Sequence, residues 1–213
     1  MKKRDIKKLR AALGMLAAFA LWTLAVRFAG VEAIGPQGSA VGLARINRFV
    51  HELTGVHLPL YEITDWLSLI PAGFVLGFAL LGLVQWIRRR SIRRVDFSLL
   101  ALGGFYTAVL AAYVFFEAVA VNYRPVLIGG ILEASYPSST TMLVLCVMAT
   151  AAMQLRIRMG SGLLRRCVLS AITAFAVVMV VCRLVSGVHW LSDIVGGILL
   201  SACLISAYDW IAF

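Results

Sequence analysis

Six apolar runs of membrane-crossing length, separated by basic clusters, leave this chain few ways to fold. A helix needs about 20 mainly apolar residues to cross a bilayer. Such runs lie at about Ala11–Phe28, Trp66–Ile87, Phe97–Tyr123, from the Pro137 turn to about Met153, Cys167–Arg183 and Ile194–Phe213. They predict an all-α integral membrane protein, a six-transmembrane-helix bundle forming one membrane domain over residues 1–213. Composition agrees: 62% of the 213 residues are hydrophobic, mean hydropathy is +0.92 and 14% are charged, whereas soluble domains carry about 25% charged residues.

The net charge is +10, and the basic residues concentrate in three places. Lys2, Lys3, Arg4, Lys7, Lys8 and Arg10 form one cluster, Arg88, Arg89, Arg90, Arg93 and Arg94 a second, and Arg156, Arg158, Arg165 and Arg166 a third. These fifteen of the twenty Lys and Arg flank apolar runs, the pattern of cytoplasmic loops, and no nucleic-acid partner is implied. Both termini are then cytoplasmic. The first run resembles a signal peptide in length, with Val31-Glu32-Ala33 as a cleavage-like site, but it is expected to stay as a helix. Cys146, Cys167, Cys182 and Cys203 fall in or beside apolar runs, read as small core residues.

With that orientation, residues 30–65 lie outside. Ile46, Phe49, Val50 and Leu53 recur at helical spacing with polar residues between them, predicting an amphipathic helix in the outer interface between spans 1 and 2. It is either a lid or a structural cover, and His51 and His57 read as plain loop histidines. Gly73 and Gly77 make a small-xxx-small pair that predicts close helix packing.

The same orientation puts Arg124, the Pro137-Ser138-Ser139 turn, Arg183, His189 and Asp193 on the outer face. His189 and Asp193 are four apart, so on a helix the carboxylate accepts from one ring nitrogen and leaves the other free. Ser186-Gly187 supplies a break, which puts Arg183 on the last turn of one helix and His189 with Asp193 on the first turn of the next. Arginine matches phosphate oxygens bidentately, and a helix N-terminus offers free N–H groups. Together these form a phosphate site in which His189 can be a nucleophile.

The stretch Cys182-Arg183, five residues, His189, three residues, Asp193 resembles the third motif of the type 2 phosphatidic acid phosphatase superfamily. That family's signature reads K-x6-R-P, P-S-G-H and S-R-x5-H-x3-D. The first motif survives as Arg124-Pro125 and the second as Pro137-Ser138-Ser139-Thr140, so the resemblance covers roughly residues 117–197. It implies a metal-independent, cofactor-free phosphatase acting on a lipid phosphate at the extracytoplasmic face of the cell membrane. His189 is the implied nucleophile forming a phosphohistidine, Asp193 its orienting partner, and Arg124, Arg183, Ser138 and Ser139 the phosphate holders.

Four positions depart from the pattern. Glu117 stands at the lysine, Ser139 at the glycine, Thr140 at the second histidine and Cys182 at the serine. Glu117, seven residues before Arg124, is expected on the same helix face about 10 Å deeper, paired with Arg124 or Arg183. It serves there either as a structural ion pair or in substrate binding. Thr140 replaces the family's general acid, a contribution worth roughly a hundred- to ten-thousand-fold. An alkoxide leaving group needs that proton more than a phosphate does, so an undecaprenyl-pyrophosphate-like substrate is the easier one. Two further readings stand beside this: a non-catalytic relative that binds or moves a phospholipid, and a headgroup phosphotransferase.

Overall fold

The computed structural model describes residues 3–213. Lys2 of the first basic cluster lies outside them, as do the side chains of Lys3 and Arg4. Eight α-helices follow in order: α1 Lys3–Phe28, α2 Ala44–Thr54, α3 Leu58–Leu67, α4 Leu69–Arg89, α5 Phe97–Ala118, α6 Ser139–Arg158, α7 Leu163–Val185 and α8 Leu191–Ala212. No strand occurs among the described residues, only isolated bridges. Six helical segments are long and apolar enough to cross a membrane, α3 and α4 together making one of 32 residues. The chain is an all-helical, multi-pass membrane protein.

The helical segment that makes the second span begins at Leu58, eight residues before the expected Trp66, and the segment between spans 1 and 2 is correspondingly shorter. The third ends at Ala118, short of the expected Tyr123. Residues 119–138 form instead a folded connection, because the Arg124 N–H donates to the Glu133 carbonyl (3.0 Å) and the Ser135 N–H to that of Asn122 (2.9 Å). Glu117 and Arg124 thus do not share a helix.

Helix α8 is central, with α1, α5 and α6 packed along it, and α7 packs against α6 and α3. The larger apolar core is built on Phe19, Leu102, Phe105, Tyr136, Leu200 and Tyr208, and a smaller one joins α6 to α7 through Val144, Met148, Ile172 and Met179. A Cβ on Gly196 would stand 2.5 Å from the Tyr136 ring. The glycine thus lets that ring lie directly on α8, which seats the residues beside it.

One end of the bundle collects the described residues of the basic clusters, the start of α1 and the end of α8. Lys8 pairs with Asp209 (3.0 Å), joining the start of α1 to the end of α8. Asp96 takes Arg89 (2.9 Å) and Arg158 (3.4 Å), and the buried Gln154 bonds Tyr208 and the Ser98 carbonyl. Tyr136, His189 and the start of α6 lie at the opposite end.

Three local expectations are corrected. A Cβ on Gly73 or Gly77 would meet nothing within 4 Å, so these glycines border an open groove and no helix packs closely there. Cys146 and Cys203 are buried, but Cys167 is exposed and Cys182 half-buried. His51 is on α2 and its ring lies 5.3 Å from that of Trp190. The amphipathic helix itself is present as α2, with Phe49 and Leu53 65% and 75% exposed on its apolar face. Its buried Asn47 exchanges bonds with Ser192, accepting from the Ser192 N–H and donating to its Oγ, both at 3.0 Å. These bonds pin α2 to the first turn of α8.

Candidate active site

Arg183 lies in the last turn of α7, as expected, and the chain then turns through Ser186 and Gly187. Gly187 has φ +69°, and a Cβ there would lie 1.9 Å from the Gly55 carbonyl oxygen. Only glycine admits that backbone contact, which docks the α2–α3 connection on the turn. The Ser186 carbonyl accepts from the His57 N–H (2.9 Å).

His189 precedes α8, whose N-cap is Trp190; it is not on the first helical turn. Asp193 is in that turn and its Oδ2 accepts from the Trp190 N–H (3.0 Å). The expected direct bond between Asp193 and His189 is replaced by a bridge. Ser135 Oγ lies 2.9 Å from His189 Nδ1 and donates to Asp193 Oδ2 at 2.5 Å. Asp193 Oδ1 accepts from Asn122 Nδ2 and Ser192 Oγ, both at 3.2 Å. Helix i, i+4 geometry failed here because residues 189 and 193 do not lie on one helix.

The two arginines converge on Tyr61 of α3, whose ring centre is 4.5 Å from the Arg183 guanidinium carbon and 5.8 Å from that of Arg124. Both already have acidic partners. Arg183 Nη1 donates to Asp65 Oδ1 (2.8 Å) and Thr64 Oγ1 (2.9 Å). Arg124 Nε lies 3.0 Å from Glu133 Oε2, within ion-pair distance but misaligned for a hydrogen bond. The expected pairing of Glu117 with either arginine is not formed. Glu117 lines a cleft instead, together with Ser135, Tyr136, Pro137, Ser139 and His189.

Helix α6 starts at Ser139 with Ser138 as N-cap. The Ser138 N–H donates to the Asp193 carbonyl (3.0 Å), which ties this helix start to α8. Ser139 lines the cleft, while Thr140, half-buried on the same turn, does not.

Several buried polar atoms here have no hydrogen-bond partner: His189 Nε2, Arg124 Nε and Nη1, Arg183 Nε, Ser138 Oγ and Thr141 Oγ1. Each such atom costs about 1–3 kcal/mol. Gathered at one end of a bundle, the guanidinium and hydroxyl donors among them suit an anion with several oxygens. His189 has a pKa well below its ordinary value, first because it is buried and then because Arg124 and Arg183 are near. It is therefore neutral at pH 7.

Fold and site define a multi-pass membrane protein with a buried histidine beside a cleft, and two buried arginines near it, at one end of its bundle. Residues 97–212 match the PAP2 superfamily, over half the chain, and the protein belongs to that family. The structure is similar to the crystal structure described as the first transmembrane PAP2 type phosphatidylglycerolphosphate phosphatase from Bacillus subtilis. The TM-score is 0.58 at 18% identity, covering 93% of this chain and 94% of that one. No curated protein sequence matches significantly.

Sequence reasoning missed Ser135, Asn122, Tyr61, Thr64, Asp65 and Glu133. An acid inside an apolar run is a visible signal for Asp65. Ser135 carries none.

Proposed function

We propose that the protein is a membrane lipid phosphatase in which His189 Nε2 attacks the phosphorus of a lipid phosphate or lipid pyrophosphate. The carrying observation is that Nε2 is buried and without a hydrogen-bond partner, with the Arg124 and Arg183 guanidinium groups near the ring. Family membership supports the activity class. In the first step a P–N bond forms, the P–O bond to the leaving group breaks, and the leaving oxygen keeps the electron pair. Water then attacks phosphorus, phosphate departs and the imidazole is regenerated. Arg124, Arg183 and the start of α6 with Ser138 and Ser139 hold the phosphoryl oxygens, and Asp193 orients the imidazole through the groups around it.

The neutral Thr140 supplies no acid, which favours a pyrophosphate whose leaving phosphate has a pKa of roughly 6. An undecaprenyl-pyrophosphate-like lipid fits this, and the basic clusters at the far bundle end support an extracytoplasmic cleft. Binding of a phospholipid without turnover is the second reading, favoured by Glu117 in the cleft and by arginines already ion-paired.

Purified protein in detergent, given phosphatidylglycerol phosphate, phosphatidic acid and a polyprenyl pyrophosphate in turn, is expected to release inorganic phosphate from at least one. His189→Ala abolishes the release. Lipid binding in both proteins with release in neither establishes the non-catalytic reading instead.

A further inference from the structure

Asp193 is saturated without the histidine. An ionised carboxylate has about four acceptor sites, and Ser135 Oγ, the Trp190 N–H, Asn122 Nδ2 and Ser192 Oγ supply four donors. The hydroxyl of Ser135, itself buried, has a single proton. At 2.5 Å from Asp193 Oδ2 that proton is committed to the carboxylate, which as an anion has none to return. The Ser135 oxygen therefore faces His189 Nδ1, 2.9 Å away, with a lone pair. A lone pair opposite Nδ1 requires a proton on Nδ1, and a neutral imidazole then has its own lone pair on Nε2.

We propose that Ser135 is a positioning residue that sets the tautomer of His189, standing between the Asp193 carboxylate and the imidazole so that Nδ1 keeps the proton and Nε2 the lone pair. This rests on the reading of His189 as nucleophile. As Nε2 bonds to phosphorus the ring becomes cationic, and no proton needs to leave it. The Nδ1–H bond to Ser135 and the Ser135 bond to Asp193 pass the stabilisation on to the buried anion. Ser135 is placed for this by two local features: its N–H bonds the Asn122 carbonyl, and the adjoining Tyr136 ring is seated on Gly196. The other charges facing His189 are Arg124 from the 119–138 connection, Arg183 from α7 and Glu117 from α5, with Glu133 and Asp65 on the arginines.

The test uses full-length protein labelled with 15N-histidine in detergent, with His51 and His57 assigned through His51→Gln and His57→Gln. Long-range 15N–1H spectra at pH 7.5 are expected to show His189 as the Nδ1–H tautomer in the wild type and a mixture in Ser135→Ala. Whichever of phosphatidylglycerol phosphate, phosphatidic acid or polyprenyl pyrophosphate the wild type hydrolyses serves as substrate. On it, Ser135→Ala is expected to lower kcat roughly 10- to 100-fold, the loss typical of removing an orienting partner, with KM nearly unchanged. Removing the bond also moves the acid limb of the pH–rate profile to lower pH, and Ser135→Thr restores much of kcat. A wild-type Nε2–H tautomer overturns the proposal, even if Ser135→Ala does not fold. So does a Ser135→Ala protein with wild-type tautomer and kcat. Undiminished release by His189→Ala defeats the nucleophile reading instead, while the spectra still decide what Ser135 does.

Discussion

Arg183 Nη1 lies 2.8 Å from Asp65 Oδ1, so a buried guanidinium at the end of α7 is ion-paired to an acid on α3. The Arg183 side chain is 3% exposed and that of Asp65 45%. Removing the acid leaves a buried cation, whereas the acid alone is well hydrated. The pair falls between a surface bridge at about 0–1 kcal/mol and a buried pair whose breaking costs about 3–5. Asp65→Asn is expected to lower stability by about 1–2 kcal/mol and to give a larger vanadate-induced rise in Tm than wild type, because the anion then supplies the missing charge. Thermal unfolding with and without vanadate checks both.

The pH dependence follows from His189, whose pKa lies below 6.5 through burial and the neighbouring arginines. The unfolded chain takes up a proton near pH 6.5 and the native protein only at lower pH. The stabilisation is therefore fully present above pH 6.5 and is lost as pH falls toward the native pKa. Activity follows the same group. Phosphate release is expected to hold at pH 6 and its acid limb to lie below 6.5, which a rate profile from pH 4.5 to 8 measures.

The spans were readable because 20 apolar residues are a local signal that lipid permits in few arrangements. Arg183 and the Ser138-Ser139 helix start were readable for the same reason, since caps and helix ends depend on neighbours. The bridge through Ser135 was not. It joins residues 54 and 58 positions apart, and nothing near Ser135 announces such partners. Glu117 was misplaced because seven-residue spacing was extended past Ala118, where the helix stops. The acids on the arginines were missed for a similar reason: Asp65 reaches Arg183 across 118 positions.

Glycines give opposite expectations according to their surroundings. Gly187→Ala meets a left-handed φ, costing about 1–2 kcal/mol, and a backbone oxygen 1.9 Å from its Cβ that no rotamer avoids. It is expected to lower Tm strongly and to disturb His189 two residues on. Gly73→Ala and Gly77→Ala meet open space, and alanine is favoured over glycine in a helix by about 1 kcal/mol. Tm is expected to stay level or rise for these two. A large loss of Tm in either shows that a close partner helix does pack there.

Glu117 gives the sharpest test of how the cleft treats charge. It lines the cleft with His189, where a dianionic phosphate meets its repulsion while both arginines are partly neutralised by Glu133 and Asp65. Glu117→Gln removes the repulsion and Glu117→Lys reverses it. Vanadate is expected to inhibit more tightly in that order, by roughly tenfold for the lysine variant, equivalent to about 1.4 kcal/mol. The gain is expected to shrink at high salt, as for any charge open to solvent. Equal inhibition in all three proteins means the carboxylate does not act on the bound anion, and its place in the cleft then serves a positively charged or hydrogen-bond-donating part of the substrate.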